Sequence, residues 1–217
     1  MFRRDAFALI TAALVGSVVA VYASLADTAF FPASLQTTLG QCPGDGDYPA
    51  NRRPVLKPDE ASWFRRQLMA LHEEPLVGGN AHRPPTLRFT LLADISTATV
   101  RVTQVEGGRL HLTAKWMRPC KDASGCVVRK LLSPAEQARL EAAVEPLLRT
   151  PPYGCYGPVD SGSYILEARY GGAYRLWHQT ASANGDVRAA ALVALKIAGW
   201  SLDDALGLSA HDPRRTG

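Results

Sequence analysis

Apolar and polar residues alternate along the middle of the chain, and this pattern predicts β-strands. Apolar side chains occupy every second position over residues 87–93, 100–102 and 110–116. Side chains alternate between the two faces of a strand, so the polar residues would share the opposite face. Glu106-Gly107-Gly108 separates the last two runs and is typical of a hairpin turn. We therefore expect three antiparallel strands with one buried face each, followed by a fourth strand over Val127–Leu132.

A second hairpin is predicted around Gly171-Gly172, which separates YILEARY from AYRLWHQ. A three-residue turn through Ala173 would set Arg169 opposite Arg175 and place the side chains of residues 174 and 176 on the face of residues 164, 166 and 168. The same arrangement leaves Glu167 on the outward face. No spacing brings Asp160, in the preceding loop, and Glu167 together as an acid–base pair, and we interpret Glu167 as a residue of the outward face.

Helical periodicity appears in three places. In EASWFRRQLMALHEE, Phe64, Leu68 and Leu71 share one face, with Asp59 as the predicted N-cap and Pro75 beyond the end. A second helix should begin at SPAE, residues 133–136, where a serine cap, a proline and a glutamate form a capping box. We expect Pro146 to kink or end this helix.

The third helix, VRAAALVALKIA, is predicted to be capped by Asp186 and to end at Gly199. Its alanine-rich face would allow close packing on a sheet. Hairpins with helices between them favour an α+β fold, in which helices cover one face of an antiparallel sheet. We divide the chain into an N-terminal segment at 1–26, a Pro/Gly-rich linker at 27–58, one α+β domain at 59–200 and a tail at 201–217.

The N-terminal segment predicts export. Arg3 and Arg4 precede an uncharged run from Ala6 to Ala26 that ends in small residues, as secretory signal peptides do. The run is also long enough to remain as a membrane anchor. In both cases the domain would lie outside the cytoplasm, in the periplasm or tethered to the inner membrane, with membrane contact only through this segment.

Export changes the interpretation of the four cysteines, Cys42, Cys120, Cys126 and Cys155. An even number in an oxidising compartment favours disulfides, although four cysteines allow three pairings. Cys120 and Cys126 flank a short polar loop and are the first predicted pair. Cys42 and Cys155 would then form the second pair, so we expect a disulfide-stapled domain.

Composition argues against several classes of partner and cofactor. The formal net charge is +4, and Lys and Arg are scattered rather than grouped in a block, so nucleic acid is not an expected partner. The five histidines lack the spacing of a metal site. Phosphate-binding and serine-hydrolase motifs are also absent, so we expect no cofactor.

Two cysteines raise an enzymatic alternative. Ser124-Gly125-Cys126 resembles the nucleophile signature of an L,D-transpeptidase, but the expected arginine arrives one residue late, at Arg129. Cys155 precedes His178 and Asn184 in the order typical of cysteine peptidases. Either cysteine would need a thiolate and a nearby base. The alternative function is therefore a cell-wall-acting cysteine enzyme.

Several stretches occur in a recognisable order: Glu74-Pro75-Leu76, RFTLL, LSPAEQARLE, SGSYILEARYGGAYRLWHQTAS and LVALKIAG. Over about residues 59–200 the chain resembles a family of short, uncharacterised bacterial exported or lipoprotein-like proteins. It departs from their motifs at Tyr164, where they have tryptophan, and at Arg175, where they have histidine. The resemblance implies the fold and export, and it assigns no activity.

These observations favour a non-catalytic exported domain that binds another envelope protein. One version of this hypothesis is a protein that neutralises a toxin. We predict no catalytic, cofactor-binding or metal-binding residues, and we predict disulfide roles for the four cysteines.

Overall fold

The computed structural model describes residues 30–39, 53–78, 83–93, 96–117, 126–151, 153–156, 162–180 and 184–201. Seven strands in these ranges form one sheet. They are β1 (Thr86–Ala93), β2 (Ser96–Gln104), β3 (Leu110–Trp116), β4 (Val127–Leu131), β5 (Tyr153–Tyr156), β6 (Ser163–Tyr170) and β7 (Ala173–Thr180). The strand order is β4-β3-β2-β1-β6-β7-β5.

The α+β class predicted from the sequence is confirmed, with one addition to the sheet. Five of the six strand pairings are antiparallel, and β5 pairs with β7 in parallel. The sequence analysis did not predict β5, because its segment YGCY is short and flanked by proline and glycine. Strand β6 lies between β5 and β7 in the sequence and runs antiparallel to β7, whereas β5 and β7 point in the same direction.

The β6–β7 hairpin has a tighter turn than predicted. Arg169 pairs with Tyr174 and Tyr170 pairs with Ala173, so the turn contains only Gly171 and Gly172. Both glycines have positive φ, 57° and 80°, as a two-residue hairpin turn requires. The predicted three-residue turn is therefore wrong, and the residues at 174 and 176 lie on the face opposite to the one expected.

Within the described residues three α-helices accompany the sheet: α1 (Pro58–Ala70), α2 (Pro134–Leu148) and α3 (Asp186–Ile197). The capping box of α2 is confirmed, since Ser133 Oγ accepts the Glu136 N–H and Glu136 Oε2 accepts the Ser133 N–H. The other predicted caps are wrong by one or two residues. Lys57 is the N-cap of α1 and Gly185 is the N-cap of α3. Pro146 lies within α2, which continues for two more residues.

Helices α2 and α3 cover one face of the sheet. The core on this side contains Phe89, Val100, Leu112, Leu166 and Trp177, each less than 3% exposed, together with the buried faces of both helices. The alanines of α3 meet the sheet as predicted and allow it to lie close to the strands. The side chains on this face are the apolar members of the alternating pattern seen in the sequence.

The opposite face is partly covered as well, so the prediction of helices on one face only is wrong. Helix α1 packs there through Phe64 and Leu68. The covering segment, defined here as residues 30–39 and 53–57, adds buried side chains from a range predicted to be a linker: Phe30, Phe31, Leu35, Val55 and Leu56. Backbone bonds from Leu56 to Leu35 and from Val55 to Thr38 join its two parts. Together these elements cover β1, β6 and β7 at Leu92, Ile165 and Leu176.

No helix within the described ranges is both long and apolar enough to cross a membrane. The predicted N-terminal segment at 1–26 and the tail beyond residue 201 lie outside the described residues.

Candidate functional site

The α1 side of strands β2, β3 and β4 carries a row of cations. The strand register aligns Arg101 with Thr113 and Thr113 with Arg129, so the two arginines flank one threonine across three strands. Lys115 and His111 lie on the same face of β3, because residues two apart share a face. We call this surface the basic face and define it by Arg101, His111, Lys115 and Arg129.

Solvent reaches the basic face to different extents. Arg129 is exposed and His111 is half-buried, whereas the side chains of Arg101 and Lys115 are 27% and 15% exposed. The segments STATVRVTQ, LHLTAKW and VVRKL contain no Asp or Glu. The strands themselves therefore supply no carboxylate to neutralise these cations.

A carboxylate reaches the basic face from the end of α1. The Glu73 N–H donates to Leu68 O and the His72 N–H donates to Met69 O, the two bonds of a Schellman motif. His72 takes the left-handed conformation at φ 52°. This turn directs Glu73 back onto the sheet, where its side chain is fully buried.

Glu73 lies among three cations. Its Oε1 is 2.9 Å from Lys115 Nζ, and its Oε2 is 3.7 Å from one guanidinium nitrogen of Arg88 and one of Arg101. Lys115 also donates to the carbonyls of Leu71 and His72, at 3.0 and 2.8 Å. A cation at the C-terminal carbonyls of a helix is favourable. The hydrogen bonds of Lys115 are thus made to the end of α1, whereas Arg101 and Arg129 face solvent.

Beneath α1 the polar row continues into a fully buried ion pair. Arg88 Nε and Nη2 donate to the two oxygens of Glu167 at 2.6 and 2.7 Å, and Arg88 Nη1 donates to Glu74 O. The Tyr174 hydroxyl donates to the same carboxylate at 2.9 Å. Burial alone would lower the pKa of Arg88, but the charge and hydrogen bonds of Glu167, together with Glu73 and Tyr174, outweigh it, so the pKa is raised. Glu167 was predicted to face outward, and this prediction is wrong; Asp160 lies outside the described residues.

His178 is buried on the same face, under the covering segment (residues 30–39 and 53–57) and α1. Its Nε2 lies 2.9 Å from Ser163 Oγ, and its ring contacts Phe64 edge to face at 5.5 Å. Burial, with a further contribution from the nearby charge of Arg53, lowers the pKa of His178 to about 4. Arg53 is itself paired with Glu60. His178 is therefore neutral and closed off from solvent.

The structure places the cysteine candidates as follows. Cys126 is disulfide-bonded and is thus not available as a thiolate. Cys42 and Cys120 lie outside the described residues, as does Ser124-Gly125, so the predicted pairings stay predictions. The backbone of Cys155 pairs with that of His178 across β5 and β7. Asn184, the third member of the peptidase order, accepts a hydrogen bond from Arg188.

A separate apolar groove lies on the other face, beside α2. It has a volume of about 460 Å³ and is lined by Leu87, Val102, Leu110, Leu148 and Ala168. Tyr170, which is 75% exposed, stands at its rim. The groove and the basic face are on opposite sides of the sheet, so a substitution in one leaves the other in place. Among the described residues, no group of three or more metal-ligating side chains comes together.

The sequence analysis identified the polar stripe of β3 but not the basic face. Scattered Lys and Arg gave no block in the sequence, and only the register of three strands brings Arg101 and Arg129 to one surface. The absence of Asp and Glu from three successive predicted strands was the signal that could have revealed it.

A scan against protein-family models found no match, and a search of curated proteins found none either.

Proposed function

We propose that this protein is a non-catalytic binding domain whose basic face binds an acidic surface of another protein. The observation that carries the proposal is the cluster of Arg101, His111 and Arg129 on strands without a carboxylate. Complementary charge accelerates association and selects among partners. Side chains on strands of a large sheet are also held more rigidly than side chains on loops.

The proposal includes the setting of the domain. We infer an exported protein, periplasmic or anchored to the inner membrane through residues 1–26, with an envelope protein as its partner. Pairing of Cys120 with Cys126 and of Cys42 with Cys155 would suit that compartment. The disulfide-bonded state of Cys126 supports this setting.

Charge reversal on the basic face tests the partner. The full chain, the double variant Arg101→Glu/Arg129→Glu and the control Arg139→Glu are each immobilised and exposed to the native envelope fraction. Arg139 is exposed on α2, which packs on the opposite face, so the control reverses one charge of the same kind without touching the basic face.

We expect the full chain and Arg139→Glu to retain an acidic protein and the double variant to lose it. Added salt should weaken the binding, because it screens the charges. Equal retention by the double variant would refute the basic face as the binding surface. A separate count of alkylatable thiols on the oxidised protein tests the enzymatic alternative. Zero thiols would exclude a cysteine nucleophile, and four would exclude the disulfides.

A further inference from the structure

Strand β4 forms one edge of the sheet, and its hydrogen-bonding direction can be derived. The Leu132 N–H donates to Leu110 O at 2.9 Å, just beyond the end of the strand. Bonds to an antiparallel neighbour come from every second residue. Val128 and Lys130 therefore bond to β3, and the backbone N–H and C=O groups of Val127, Arg129 and Leu131 point away from the sheet.

The side chains of these three residues lie on the α1 side, since they share the face of Thr113, with which Arg129 pairs. Arg129 is exposed, Leu131 is 47% exposed, and Val127 is half-buried. Within the described residues, the edge thus offers a row of backbone groups that no second strand pairs, together with an apolar, a cationic and a second apolar side chain. Within the described ranges β4 has β3 as its one strand neighbour.

We propose that this edge takes an extended acidic segment of the partner protein, which adds a strand beside β4. This inference rests on the proposed function and specifies how the partner binds. Strand addition draws affinity from backbone hydrogen bonds and specificity from alternate side chains. The fitting segment carries a carboxylate opposite Arg129, with apolar residues two positions before and after it.

A second copy of this chain fits the edge less well. Antiparallel pairing of two β4 strands through all three outward residues would place Arg129 opposite Arg129 of the partner copy. Like charges directly opposite each other destabilise a strand pair, and charged residues on edge strands limit self-association. The same cation that disfavours a second copy favours an acidic segment.

One segment of the chain itself carries the matching order. Leu202, Asp204 and Leu206 are apolar, acidic and apolar at alternate positions. Truncation after Ser201 distinguishes this internal occupant from a partner.

The test measures hydrogen exchange of single amides by NMR in the full chain. The probe is a synthetic peptide in which glutamate stands between two valines at alternate positions and threonines fill the rest. In the free protein the amides of Val127, Arg129 and Leu131 should exchange fast, while those of Val128 and Lys130 are protected. Saturating peptide should slow exchange of the outward amides by at least about tenfold while leaving the inward ones unchanged.

Two control peptides complete the test. Glutamate replaced by lysine should weaken binding about tenfold, because an attractive cross-strand pair becomes a repulsive one. Backbone N-methylation on the side that faces β4 should abolish binding. Equal binding of either control would overturn the inference. So would outward amides that are protected in the free full chain and released by truncation after Ser201.

The variant Leu131→Pro separates this inference from the proposed function. Proline removes an outward N–H while the charges of Arg101 and Arg129 remain, and Leu131→Ala controls for the lost side chain. If Leu131→Pro and the double variant Arg101→Glu/Arg129→Glu both lose the captured partner while Leu131→Ala keeps it, with thermal unfolding unchanged, both proposals stand. If it retains a partner that Arg101→Glu/Arg129→Glu loses, strand addition is refuted and the basic face stands. If both variants retain the partner, both proposals fail.

Discussion

The buried pair of Arg88 and Glu167 offers the sharpest test of how this fold is stabilised. We predict that Glu167→Gln lowers the free energy of unfolding by about 3–5 kcal/mol, as removal of one partner from a buried ion pair does. Both side chains are fully buried, and two bonds of 2.6 and 2.7 Å join them. The change leaves the charge of Arg88 in the interior, where Glu73 at 3.7 Å is the remaining carboxylate.

Comparison of the single variant with a double variant shows whether the loss of stability comes from the lost attraction or from an uncompensated buried charge. Replacement of both partners, Arg88→Met with Glu167→Leu, removes the charge as well as its counterion. Such double replacements are often neutral or stabilising by about 1–4 kcal/mol. Here the double variant also removes the hydrogen bonds that the Tyr174 hydroxyl and the Glu74 carbonyl make to this pair, so we expect stability within about 2 kcal/mol of the parent protein.

Urea denaturation followed by tryptophan fluorescence measures these changes, with unchanged slopes showing that the unfolded state is comparable. The exposed pair of Glu145 and Arg149 provides a matched control, since its side chains are 61% and 74% exposed. Glu145→Gln should change the free energy of unfolding by less than about 0.5 kcal/mol. A similarly small effect of Glu167→Gln would refute the buried pair and the covering of β1 and β6 by α1.

Three further changes have defined outcomes. The pKa of His178 is lowered to about 4, so its contribution to stability is present above about pH 6.5 and is lost as the pH falls toward 4, by about 3 kcal/mol in all. Denaturation at pH 7.5 and 4.5 should show this loss, and His178→Gln should abolish this part of the pH dependence. His72→Gly should raise stability by up to about 1 kcal/mol, because glycine relieves the left-handed conformation at φ 52°; a decrease would contradict the geometry of the turn. Ser133→Ala should cost about 1 kcal/mol by removal of the cap on α2, with Thr37→Ala at an exposed turn as the control.

Features with a local origin were predictable from the sequence. The cap of α2 depends on residues 133–136 alone, and the turn of the β2–β3 hairpin depends on Gly107 and Gly108, both with positive φ. The alternating runs likewise became strands with the expected buried face. In each case the interaction that fixes the structure joins residues a few positions apart.

The second face of the sheet depends on distant residues, and the sequence analysis missed it. Prolines in residues 27–58 favoured a linker, yet Phe31, Leu35 and Leu56 are buried against strands far along the chain. Alternating polar residues normally mark a solvated face. Only contact between distant segments determines that Glu167 is buried against Arg88 while Arg129 stays exposed.

This division lets one polar face stabilise the fold in one part and, in our proposal, bind a partner in the other. Over β1 and β6 the charges are matched, because Arg88 pairs with Glu167, and Arg88 also donates to the Glu74 carbonyl just beyond α1. Between this buried pair and the basic face, Glu73 contacts Arg88 on one side and Lys115 and Arg101 on the other. Beyond it no strand carboxylate among the described residues balances Arg129, and this cation lies at the edge where β4 has no second strand neighbour within the described ranges. Charge and hydrogen-bonding capacity therefore coincide on β4, and this coincidence makes the edge strand the place where an acidic segment would bind.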